Sequence, residues 1–135
     1  MIDEQARADL AVLRTTSDVN ERNAAALRLA ERKIPEAKDA LLGLIMRADL
    51  REHRGTLVHS LGHFDCSGQF GLLVDLVVTG NVEVAHEAFE ILDLIDEVGG
   101  EDVDIALTAA DGALADPSLE SWRRALLDEL VEMFD

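Results

Sequence analysis

The sequence predicts an all-α protein of a single domain, eight helices folded as a stack of four helical hairpins. Three observations lead there. Four segments beginning at Arg22, Arg54, Ala85 and Arg123 superimpose by residue type, at offsets of 32, 31 and 38 residues. Within them Ala25, Leu57, Ala88 and Leu126 correspond, as do Ala26, Val58, Phe89 and Leu127, and then Leu29, Leu61, Leu92 and Leu130. Apolar residues at i, i+1 and i+4 make one helical stripe. Composition agrees, because Ala and Leu are strong helix formers and the chain has no Tyr, one Trp and four Phe. Finally, no segment alternates apolar and polar residues between hairpin turns.

A period of 31 to 38 residues accommodates two helices and two short turns. The first helix is expected near 3–15. Asp18 with Glu21 reads as an N-terminal cap for a helix near 19–33, and Asp49 with Glu52 as a cap for one near 50–64. Pro35 fits the first turn of a helix near 35–47. A helix near 68–79 is weakened by Gly68 and Gly71. Gly80-Asn81 closes it and caps the next, near 82–97. Gly99-Gly100 precedes a helix near 101–115, and Asp116-Pro117 places a capping residue before a first-turn proline for the last, near 117–134. The repeats then run near 1–33, 34–64, 65–98 and 99–135.

The second helix of each pair resembles that of HEAT-like repeats, which often reads Val-Arg-Arg-Ala-Ala-x-x-Ala-Leu-Gly. Arg22 with Ala24 and Ala25, and Arg54 with Leu61-Gly62, carry the likeness. The third copy has Ala85 in place of the arginine, and the fourth has Trp122 where valine is common. The resemblance covers nearly the whole chain. It implies an α-solenoid whose second helices line a concave side. Residues 57–92, from Leu57-Val58-His59-Ser60-Leu61-Gly62-His63 to Gly80-Asn81-Val82-Glu83-Val84, resemble more narrowly the small bacterial HEAT-like proteins that include immunity proteins of polymorphic toxin systems.

Charge is distributed one-sidedly. Residues 1–63 hold ten acids and ten Lys/Arg, whereas residues 64–135 hold eighteen acids against Arg123 and Arg124, which accounts for the net −16. Such a field steers positively charged partners and argues against nucleic acid or an anionic membrane as the partner. Cys66 is the only cysteine, so no intramolecular disulfide forms. The N-terminus has no apolar signal core and no apolar stretch is long enough to span a bilayer. A cytoplasmic protein, monomeric or weakly self-associating, is the expectation.

The densest acidic constellation is Glu83, Glu87, Glu90, Asp93 and Glu97, spaced by three and four residues along the sixth helix. That spacing sets them on one face, opposite Val84, Ala88, Phe89, Leu92 and Ile95. Asp128 on the eighth helix corresponds to Glu90. Like charges so placed lower helix stability by roughly 0.2–0.5 kcal/mol per pair. A solvated face and a docking surface for a basic partner are both consistent with the pattern.

Other constellations carry less. His59, His63 and Cys66 include zinc-ligand types, but no second Cys–His cluster completes a site, so no metal is expected. The sequence has no nucleophile elbow, phosphate loop, dinucleotide fingerprint or EF-hand spacing, so no catalytic residue and no cofactor is expected. Arg22, Arg54 and Arg123 are read as pairing with acids of neighbouring repeats, and Trp122 as packing on the last helix. The expected function is therefore a non-enzymatic binding module for a basic protein, in its sharpest form an immunity protein against a basic toxin such as a nuclease. The alternative is a structural adaptor docking through apolar repeat surfaces.

Overall fold

Three helices of this chain begin where a short polar side chain satisfies a free amide. Asp3, Asp18 and Asn81 each accept from the amide three residues on: Ala6 at 2.8 Å, Glu21 at 3.0 Å and Val84 at 2.9 Å. The computed structural model describes residues 2–134. They form eight α-helices: α1 Glu4–Thr15, α2 Val19–Glu31, α3 Glu36–Ile45, α4 Gly55–Leu61, α5 Phe70–Thr79, α6 Val82–Asp93, α7 Gly100–Leu114 and α8 Ser121–Phe134. Short 3-10 turns lie at Ala48–His53 and Ser67–Gln69, and the described residues include no strand.

All eight expected helices are present, but several ends move. The fourth does not run from 50 to 64. Asp49 is drawn to Arg47, at 3.0 and 2.6 Å, instead of capping, and the chain makes a 3-10 turn before α4 starts at Gly55. The sixth stops at Asp93 rather than near 97: its last turn holds no base, and Asp93, Asp96 and Glu97 oppose the negative end of the helix dipole. The eighth starts at Ser121 rather than near 117, because the Asp116 carboxylate accepts from the Ser118 amide at 2.9 Å and hydroxyl at 2.7 Å, closing a local turn. Pro35 stands immediately before α3.

The chain divides into two compact units, Met1–Asp65 and Cys66–Asp135. In the first, α1 packs on α2 and α3 on α4, with α1 also touching α3 and α2 touching α4. The second repeats the scheme: α5 on α6, α7 on α8, α5 on α7 and α6 on α8. Of the twelve corresponding apolar positions, all are buried except Phe89, which is half-buried. Within the first unit Asp9, 3% exposed, ties α1 to α2 by accepting from Arg28 at 2.8 and 3.1 Å.

Arg22 and Arg123 do not serve as expected. Arg22 donates to the carbonyl of Thr16 at the end of α1, and Arg54 to that of Ile45 at the end of α3. Arg123 donates to the carbonyls of Val77 and Gly80 at the end of α5, at 2.8 and 2.7 Å, and pairs with Glu120 of its own helix entrance. Helix C-termini leave carbonyls without intrahelical donors, and a guanidinium fork suits them. Arg22 and Arg123 therefore close the preceding helices rather than bridging to acids of other repeats. Where α6 carries Ala85 instead, Arg123 of α8 reaches the end of α5.

Candidate protein-binding surface

Burial on α6 follows its apolar stripe. Val84, Ala85, Ala88, Ile91 and Leu92 are buried, an arc of about 120° at roughly 100° per residue. Glu83, Glu90 and Asp93 lie on the exposed side, and Glu87 is half-buried at its edge. Ala85 and Ile91 thus complete the inward face, while Phe89 and Ile95 are only half-buried.

The structure brings together part of the expected set. Glu83, Glu87 and Glu90 share one arc of α6, with Asp93 at its flank. Glu97 is exposed but belongs to residues 94–99 after the helix, so it does not continue the stripe. Asp128 is exposed on α8, a helix that packs against α6. No ion pair or side-chain hydrogen bond among the described residues engages Glu83, Glu90, Asp93, Glu97 or Asp128. The second unit's two arginines are occupied elsewhere. Arg123 is 6% exposed on its carbonyls and Glu120, and Arg124 donates to the carbonyls of Leu114 and Asp116. The acidic field of the α6 face is left without a cationic neighbour from either of them.

Two features of this surface were not legible in the sequence. A cleft of about 350 Å³ joins Asp93 and Asp96 to Ile95, Val98, Val103, Met133 and Phe134, placing two carboxylates beside an apolar wall. Asp96, rather than Glu97, is the acid of the 94–99 segment that lines this cleft with Asp93. His86 lies among the α6 acids, its Nδ1 2.7 Å from the Val82 carbonyl. Its ring is 5.8 Å from that of Trp122, whose face carries the Arg123 guanidinium at 4.4 Å. Trp122 is thus half-buried in a His86–Trp122–Arg123 stack.

His59 and His63 approach edge to face at 5.7 Å, and among the described residues no three His, Cys, Asp or Glu side chains gather as a metal site. None of the described helices is long and apolar enough to cross a membrane. A scan of known protein families and searches of curated proteins and solved structures find no match to this chain.

Proposed function

We propose that this chain is a non-enzymatic, HEAT-like binding module that engages a basic protein through the acidic surface of α6 and the cleft at its end. The observation that carries the proposal is the exposed, unpaired set Glu83, Glu90 and Asp93 beside a unit whose arginines are occupied at helix ends. The cleft suits a partner lysine or arginine, whose aliphatic stem would lie on Ile95, Met133 and Phe134 while its cation meets Asp93 and Asp96. In the sharpest form the partner is a basic toxin domain and this chain its cytoplasmic immunity protein. A nuclease fits, because a cleft built for phosphate presents the complementary charge.

The test is the association rate with the protein encoded beside it or co-purified with it. Opposite fields speed encounter and make it salt-dependent. The triple variant Glu83→Lys, Glu90→Lys, Asp93→Lys should slow association by about tenfold or more at low salt, with the circular dichroism spectrum preserved. An unchanged rate rejects the acidic surface as the docking face.

One observation favours the adaptor reading. Ile105 of α7 is 47% exposed in a shallow depression with Glu101, Asp104, Thr108 and Ala109, and only Ala106 and Ala110 of that helix are buried. Docking through Ile105 would rest on apolar contact and depend less on salt than docking on the α6 face.

A further inference from the structure

We propose that the first unit carries a separate binding site for a small oxyanion of the phosphate class, seated between Arg14, Arg22 and Arg47 in a pocket of about 400 Å³. The pocket lies between the turn from α1 to α2 and the 3-10 turn Ala48–His53. Three guanidiniums and the His53 imidazole line it against a single carboxylate, Asp49, and Ser17 adds a hydroxyl. Asp49 is already held by Arg47, through Nε at 3.0 Å and Nη2 at 2.6 Å. The cationic excess therefore rests on Arg14 and Arg22.

Arg22 is the decisive residue. It is 3% exposed, its Nη2 donates to the Thr16 carbonyl at 2.8 Å, and its buried Nε and Nη1 have no hydrogen-bond partner. Buried donors are nearly always satisfied, so the two unanswered nitrogens leave this guanidinium, which lines the pocket, under-compensated. For a guanidinium the demand is greater, because a buried charge is costly unless paired. Its field reaches the pocket's one acid. The Asp49 carboxyl is held below the usual carboxylate range chiefly by Arg47, with the Arg22 charge adding to the effect.

The donor set selects the ligand. Guanidinium forks bind paired oxygens, and donors arriving from three arginines suit a tetrahedral dianion better than a planar monoanion. Arg14, Arg47 and His53 are exposed at the rim, so the pocket is open to entry. Its volume exceeds what a bare oxyanion fills and falls in the range of small-molecule sites. The phosphate group can thus be carried on a small organic body. These residues belong to the charge-balanced part of the chain, and the site does not depend on the acidic surface of α6.

The experiment is a titration of the full chain with inorganic phosphate, followed by amide and arginine side-chain NMR, with sodium chloride holding ionic strength constant. Saturable shifts confined to Arg14, Thr16, Ser17, Arg22, Arg47 and His53 are expected, with acetate weaker than phosphate. Arg14→Gln with Arg47→Gln, both at exposed positions, should weaken phosphate binding by about tenfold or more. Arg22→Gln should abolish it, and should that variant not fold, the Arg14/Arg47 pair decides alone. Shifts that grow linearly, that chloride reproduces, or that survive the Arg14/Arg47 double variant overturn the site.

Discussion

Lys33 holds a backbone conformation that few side chains adopt. Its φ is 51°, and it closes α2: the Ile34 amide donates to Leu29 at 3.0 Å and the Lys33 amide to Ala30 at 2.9 Å. This is the Schellman arrangement, in which glycine is the usual occupant. Lys33→Gly is expected to stabilise the protein by about 0.5–1 kcal/mol, the relief of left-handed strain exceeding the added freedom of the unfolded chain. The midpoint of urea denaturation measures it. Gly80 is constrained differently. Its φ of −72° suits any residue, but a Cβ there would stand 2.6 Å from both the Leu76 carbonyl oxygen and Val84 Cγ1. Space, not backbone freedom, requires glycine where α5 meets α6.

Among the elements, helix ends show most clearly how the repeat works. Arg123 and Arg124 stand side by side in the first turn of α8 yet close different helices, α5 and α7. The carbonyl that Arg123 reaches at Val77 is buried, whereas Arg124 reaches part-buried and exposed ones. Arg123→Ala should therefore cost about 2–4 kcal/mol in chemical denaturation, and Arg124→Ala under about 1 kcal/mol, since a buried unsatisfied acceptor is the larger penalty. Glu120 reports on the same junction through pH. Its hydrogen bonds with the Arg123 guanidinium, followed by its own backbone, push its pKa down to about 2. A depressed folded-state pKa stabilises the fold above the unfolded value and loses that effect as pH falls through the folded one. The Tm difference between the native chain and Glu120→Gln should be full at pH 6, shrink below the ordinary glutamate range and vanish near pH 2. A constant difference across that range would show that the pair is not formed.

On the scale of the molecule, the charge partition coincides with a structural one. The division of the fold at residues 65 and 66 falls almost where the acids cease to be balanced by bases. The acidic half is an ordered set of helices with its apolar stripe buried, so its field originates from fixed positions rather than from a solvated tail. That is why the triple reversal on α6 is expected to act on encounter rate, and why raised salt should act in the same direction. The candidate surface was only partly legible beforehand. Glu83, Glu87 and Glu90 were placed correctly by helical spacing. Glu97 was not, because the helix ends where acids accumulate at its C-terminus, and Asp96 enters the cleft only through the fold of residues 94–99.

By itself the sequence determined that this is a helical protein with eight helices, most of the buried stripe on the second helix of each pair, and how its charge is divided. Periodicity is local, and a stripe of apolar residues has one favourable side to bury. The tertiary structure alone decided where the long side chains go. Arg28 finds Asp9 nineteen residues away, Arg123 reaches back forty-six residues to Val77, and Arg22 is enclosed with two nitrogens unanswered. Such side chains choose partners by proximity across packed helices, and no spacing along the chain encodes that distance.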